Sequence, residues 1–232
     1  MLCLHQTTKI AKDEPVGLGT NENLKQALHL VKRGYVCLAP DYPSFGEYPY
    51  DFKKSKFASG TMKAIWNCSR GVDFLETLPE VDKTRIGTIG HSLGGHASMF
   101  AAAFDDRIAA VATSCGFNSF HHYYGGNLAG WSGERYMPRI ATEFGKDPNR
   151  MPFDFDDVIL AIAPRPFFTN SPLKDENFAV AGVKVVMEKV EPVYRKLNAS
   201  EKLKAVYPNA GHDWPEAERT AAYKFLDRWL KP

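Results

Sequence analysis

Twenty residues, Arg85 to Phe104 (RIGTIGHSLGGHASMFAAAF), constrain this chain more than any other stretch. The apolar run Ile86-Gly-Thr-Ile89 predicts a short buried strand. It breaks at Gly90-His91-Ser92-Leu93-Gly94-Gly95 and restarts as a small-residue helix from His96 to Phe104. A serine at the centre of such a strand–turn–helix sits on a sharp, strained turn where bulky neighbours would collide. Gly90 and Gly94 relieve that crowding, and Gly95 lets the helix pack close to the strand. The helix start then aims backbone N–H groups, and the positive end of its dipole, at an oxyanion developing beside Ser92. The competing reading is a glycine-rich turn whose serine merely caps the helix.

The rest of the chain alternates short apolar runs with amphipathic ones. Strands are expected at Met1–His5, Tyr35–Ala39, Ile108–Cys115, Pro166–Asn170 and Leu203–Tyr207, besides the run before Ser92. Helices are expected from Asn21 to Arg33, Met62 to Leu78 and Phe153 to Ile162. A further stripe of Val183, Val186, Met187, Val190, Val193, Tyr194 and Leu197 is helical in spacing, with Pro192 kinking or restarting it. The last helix runs from Pro215 to Lys231, with Ala221, Phe225 and Trp229 inward. This order implies an α/β protein with a doubly wound, mostly parallel sheet covered on both faces. With 232 residues, no repeat and no linker, a single domain over 1–232 is expected, carrying a cap-like insertion at about 116–149 where periodicity fails.

A serine hydroxyl becomes a nucleophile only when a base takes its proton, and that base must be held by a third group. Among seven histidines only His212, in Pro208-Asn-Ala-Gly-His-Asp-Trp-Pro215, lies in a loop after a downstream strand. Its bland alternative is a loop histidine that packs locally. The acid is expected in the loop after Pro166–Asn170, at Asp175, with Glu176 in reserve; a solvated pair with Lys174 competes. Ser92, Asp175 and His212 then follow the chain order serine, acid, histidine.

Composition narrows the partners. A net charge of +2 gives no reason to expect nucleic acid or an anionic membrane. No apolar run approaches the ~20 residues that span a bilayer. The start, MLCLHQTTKIAKDE, lacks the features of a signal peptide, so a cytoplasmic protein is expected. Cys3, Cys37, Cys68 and Cys115 are widely spaced, and three fall in expected strands, which suits free packed thiols. CxxC and HExxH are absent and His121-His122 are adjacent, so a metal site is not expected.

GHSLGG, GHDWP and the order of elements resemble the α/β-hydrolase superfamily across nearly the whole chain. LHQTT…GLGTNENLKQALHLVKRGYVCLAPDYPSFGE and APRPFFTNSPLKDENF are similar to its dienelactone hydrolase and acetylxylan-esterase-like branches. The resemblance implies a serine esterase that cleaves a carboxylic ester through an acyl-enzyme, without metal or organic cofactor, on an acylated carbohydrate or a small aromatic ester. It also implies an oxyanion hole from the N–H of Leu93 together with that of Thr7 or Gln6. Ser92 stands where dienelactone hydrolases carry cysteine, and Gln6 replaces the usual glycine. A peptidase of the same fold and a non-catalytic hydrolase-fold binding protein are the rival readings.

In the insertion, Phe120, Tyr123, Tyr124, Trp131 and Tyr136 are candidates to line an acyl or sugar pocket, and Arg135 or Arg139 to meet a carboxylate. A cap with its own small core and surface arginines is the equal alternative. The fold implied is also reduced at the N-terminus, which leaves Tyr35–Ala39 as an apolar sheet edge. A cover is expected there, either the Lys9–Asn21 loop or a second subunit in a homodimer.

Overall fold

A computed structural model describes residues 1–232. Five parallel strands form one sheet in sequential order: β1 Leu2–Leu4, β2 Ile86–His91, β3 Ile108–Ser114, β4 Phe167–Asn170 and β5 Leu203–Val206. Side-chain alternation along the strands sorts the core into two layers. Leu2, Leu4, Ile86, Val111 and Phe167 point to one face, under helices α2 (Gly60–Glu76), α3 (Leu93–Phe104), α5 (Phe155–Ile162) and α6 (Val180–Lys196). Met1, Cys3, Ala110, Ala112 and Phe168 point to the other, under α1 (Gln26–Val31) and α7 (Glu216–Leu230). The near-continuous burial of β2 and β3 is what a parallel sheet with both faces covered requires.

Tyr35–Ala39 is not a buried strand. It lies beside β1 with a single bridge, Leu2 to Leu38, closed by Cys3 N–H to Leu38 O and Leu38 N–H to Met1 O, each 2.9 Å. Pro40 has no N–H to continue a ladder, and Gly34 turns the chain at φ +89° just before the segment. Val36 is 36% exposed, so this edge is half-solvated rather than covered. The segment from Lys9 is instead drawn to the loop beyond, where the Lys12 N–H and ammonium both bond Asp41.

Other departures have local causes. The first helix starts as a 3-10 turn, Glu22–Leu24, capped by the Asn21 side chain on the Asn23 N–H, and only then becomes α1. Helix α6 runs unbroken through Pro192, which is exposed, so the carbonyl it leaves unpaired faces water. The inner face of α7 is Ala222, Tyr223, Leu226 and Leu230 with Phe225, whereas Ala221 and Trp229 are only half-buried.

Residues 116–149 fold as short turns, Tyr123–Gly126 and Leu128–Trp131, and a helix α4, Arg139–Thr142. Their apolar side chains do not make a separate core. Phe117, Phe120, Tyr123, Leu128, Trp131 and Ile140 join the same cluster as α2, α3, α5 and α6.

All five strands deliver their carboxyl ends to one side of the sheet, where loops of a parallel α/β fold gather functional groups. The first turn of α3 is pressed against that rim. A Cβ on Gly90 would lie 2.3 Å from the Gly94 carbonyl carbon, and one on Gly94 would lie 2.0 Å from the Leu4 oxygen. Both obstacles are backbone and cannot yield. Gly94→Ala should therefore cost about 2 kcal/mol or more and lower Tm by roughly 5 °C. Gly133→Ala, with nothing within 4 Å of the added carbon, should leave Tm unchanged in the same thermal melt. Equal melting of the two variants would contradict the close approach.

Candidate active site

Ser92 joins β2 to α3 with φ 53° and ψ −117°, a conformation that costs a non-glycine residue about 1–3 kcal/mol. Its two peptide groups hold it there. The N–H donates to Ser114 O at 2.8 Å, extending the β2–β3 ladder, and the carbonyl accepts from His96 N–H at 2.9 Å, opening the helix. The side chain consequently stands at the rim, half-buried, at the N-terminus of a twelve-residue helix.

Two further strand ends bring a base and an acid together. His212, after β5, places Nδ1 3.0 Å from both carboxylate oxygens of Asp175, after β4. Asp175 Oδ1 also accepts from the backbone N–H of Asn177 at 2.8 Å and of Phe178 at 3.0 Å, which fixes the plane of the carboxylate. Burial pushes this carboxyl up, but the bond to His212 and the Phe178 N–H outweigh it and hold Asp175 below the usual range. Asp175 is therefore ionised beside an imidazole that donates from Nδ1. Glu176, the reserve, is exposed.

The His212 ring packs between His91, at 4.9 Å between centroids, and Phe178, at 5.8 Å. Burial, with a smaller contribution from His212, drives His91 down to about 3, so its ring is a neutral wall. Behind it, Ser114 Oγ lies 3.0 Å from His91 Nδ1 and accepts from Asn170 Nδ2 at 2.8 Å. The same amide donates to Asp213 O at 3.0 Å, which pins the loop that carries His212. No hydrogen bond joins Ser92 Oγ to His212 in this conformation.

A cavity of about 260 Å³ opens over Ser92. Thr7, Leu93, His96, Tyr123, Trp131, Tyr136, Asn177 and Phe178 line it. Of the residues singled out in the sequence, Ser92, Leu93, Thr7, Tyr123, Trp131 and Tyr136 thus meet at one place. Gln6, named for its backbone N–H, is not among the residues lining the cavity, and its side-chain amide donates to Glu14 Oε1 at 3.0 Å. Tyr124 does not line the cavity: the residue is 59% exposed, its ring meets Tyr123 edge-on at 4.8 Å between centroids, and its hydroxyl donates to Asn177 Oδ1 at 3.0 Å. Arg135 stacks over Phe45 and bonds Ser44, and Arg139 pairs with Glu143 on the surface; neither guanidinium reaches the cavity. Phe120 is fully buried against Phe153 and Phe155.

Several site residues were not picked out in the sequence, among them Asn177 and Phe178 beside Asp175, and His96 and Cys115. His96, four residues after Ser92, forms part of the cavity wall, stacks on Trp131 at 4.9 Å and bonds Thr61 through Nε2 at 3.1 Å. Burial lowers it to about 3, so it too is neutral. Its place one helical turn after the nucleophile was the available signal. Cys115, just past β3 at φ 49°, lies beside Asp175 and His212; nothing in its sequence neighbourhood marks it.

Several known proteins are similar to this chain. A putative hydrolase, YtaP, of Bacillus subtilis is 27% identical over 209 residues, which are 87% of this chain and 67% of the relative. The 4-O-methyl-glucuronoyl methylesterase of Hypocrea jecorina is 33% identical over 137 residues, 51% of this chain and 29% of that protein. Among solved structures, a carbohydrate esterase family 15 glucuronoyl esterase from Caldicellulosiruptor kristjansonii superposes with a TM-score of 0.65 at 26% identity. That match covers 79% of this chain and 54% of the other. The chain thus spans only part of the length of these relatives, and its fold is that of α/β-hydrolase esterases. Residues 44–198, from the loop before α2 through the Ser92 turn and Asp175 to the end of α6, match the family described as "Glucuronyl esterase, fungi", and the chain belongs to that family.

Proposed function

We propose that this protein is a serine esterase that cleaves the ester of a uronic acid carboxyl group through an acyl-enzyme. The observation that carries the reading is the strained Ser92 at a helix N-terminus, on the rim where Asp175 holds His212 by Nδ1. The glucuronoyl esterases among its relatives supply the substrate class. An aromatic wall of Tyr123, Trp131, Tyr136 and Phe178 suits a sugar ring, and the neutral His96 among them offers a polar edge without a charge to desolvate. The acyl carbonyl carbon would stand over Ser92, with the sugar hydroxyls toward Trp131 and His96.

In the reaction His212 Nε2 takes the proton as Ser92 Oγ attacks the carbonyl carbon. This step requires the imidazole to close onto Ser92, a contact that free enzymes often leave open. Asp175 accepts the Nδ1–H bond throughout, so the base lone pair stays on Nε2 and the imidazolium is stabilised as it forms. The oxyanion falls between the N–H groups of Leu93, at the start of α3, and Thr7, past β1; both residues line the cavity, whereas Gln6 does not. The proton on His212 then passes to the leaving alcohol, and a water repeats the sequence to release the uronic acid.

Methanol release from a glucuronate methyl ester, followed by NMR, is the direct assay. Ser92→Ala should slow turnover on the order of 10⁶-fold while leaving the circular dichroism spectrum intact. A variant that keeps a few per cent of activity would remove Ser92 from the mechanism. Asp175→Asn should cost up to ~10⁴ in kcat by disturbing the His212 tautomer, whereas Glu176→Gln should match the parent. The reverse ranking would reassign the acid. For the substrate class, kcat/KM should be higher for the glucuronate methyl ester than for the methyl ester of an unsubstituted aliphatic acid of equal carbon number. Equal values would refute uronate recognition.

A further inference from the structure

The thiol of Cys115 stands against the Asp175–His212 pair. The Cys115 sulfur, a carboxylate oxygen of Asp175 and a ring nitrogen of His212 all lie within 4.8 Å of one another, from the ends of three different strands. Cys115 is 2% and Asp175 6% exposed, while the His212 side chain keeps 27% of its surface open to solvent. The positive φ of Cys115 turns its side chain inward, where the sulfur also meets the Asp213 carbonyl at 3.7 Å.

We propose that Cys115, Asp175 and His212 form an inhibitory site for a soft divalent cation, zinc in the first place. A thiolate, an imidazole and a carboxylate are a zinc donor set, and sulfur with nitrogen disfavours magnesium or calcium. Tetrahedral zinc, with bonds of about 2.0–2.3 Å, needs these donors about 3.3–3.6 Å apart. The 3.0 Å between Nδ1 and the carboxylate must widen by a few tenths of an ångström, and the sulfur closes in from within its 4.8 Å, leaving the fourth position to water. The entry path runs past the exposed edge of His212. On coordination the hydrated zinc ion sheds all but one of its waters, the thiol releases one proton to solvent, the Zn–S, Zn–N and Zn–O bonds form, and the imidazole proton moves from Nδ1 to Nε2 by exchange with solvent. A neutral imidazole holds one N–H. With Nδ1 on the metal, Nε2 carries the proton and has no lone pair for Ser92. Inhibition therefore rests on the esterase reading, but metal binding does not.

Cobalt(II) chloride added to the untagged full chain reports the site without reference to activity. The expected result is a near-ultraviolet thiolate-to-cobalt charge-transfer band with tetrahedral visible bands, saturating at one ion per chain and displaced by zinc chloride. Cys115→Ser and His212→Gln should each abolish it. Absence of the band in the parent, or its persistence in either folded variant, would overturn the site. Should Cys115→Ser not fold, His212→Gln decides, since that ring lies at the exposed end. In a parallel ester assay, each protein scaled to its own metal-free rate, half-inhibition should need at least about tenfold more zinc in Cys115→Ser. A parent that shows the cobalt band yet hydrolyses esters at full rate with zinc bound would overturn the inhibitory role and count against His212 as the base. A parent without the band leaves the esterase reading intact and sinks only the metal site.

Discussion

The backbone of Gly94, in the first turn of α3, rests on the carbonyl of Leu4 at the end of β1, with no room for a side chain between them. Much of the site's geometry descends from that contact. It sets α3 close enough to the sheet for Ser92 to bond both the β3 ladder and the helix, which holds its φ at 53°. It also brings the residues past β1 alongside the helix N-terminus, so that Thr7 and Leu93 share one cavity. A few kcal/mol of backbone strain at Ser92 is sustained because the flanking elements are buried on both faces of the sheet.

Electrostatics at the neighbouring strand ends follow from how burial is offset. A carboxylate in the position of Asp175 stays ionised only because His212 and two backbone N–H groups replace the lost water. His91 and His96 have no such charged partner and remain neutral instead. The three histidines near Ser92 thus differ by environment rather than by type, and only His212 is hydrogen-bonded to a carboxylate. The same crowding draws Cys115 into contact with that pair, which gives the site its exposure to thiophilic metals.

The sequence carried the alternation of strand and helix, the tight turn at Ser92 and the placing of Asp175 and His212 in loops after successive strands, because each is a local pattern with a local cause. The continuous apolar run and the period-3.6 spacing place β2, α3 and α6 to within three residues. What was not legible depends on long-range partners. Tyr35–Ala39 has the composition of a buried strand, yet its pairing is limited by Pro40 and a three-residue neighbour. The aromatic residues of 116–149 read equally as pocket or as core, and they divide: Tyr123, Trp131 and Tyr136 face the cavity, whereas Phe120 does not. Arg135 was captured by Phe45, ninety residues away in the chain, a contact that no local pattern announces. His96 and Cys115 gain their meaning only from what the fold sets beside them.

The central claim is that Ser92 is activated as a nucleophile by the His212–Asp175 pair. A fluorophosphonate probe, with intact mass and peptide mapping as the readout, addresses it without any assumption about the substrate. We expect one adduct per chain, on Ser92, with labelling strongly slowed in His212→Ala. No adduct under conditions that label a known serine esterase, or an adduct on another residue, would contradict it.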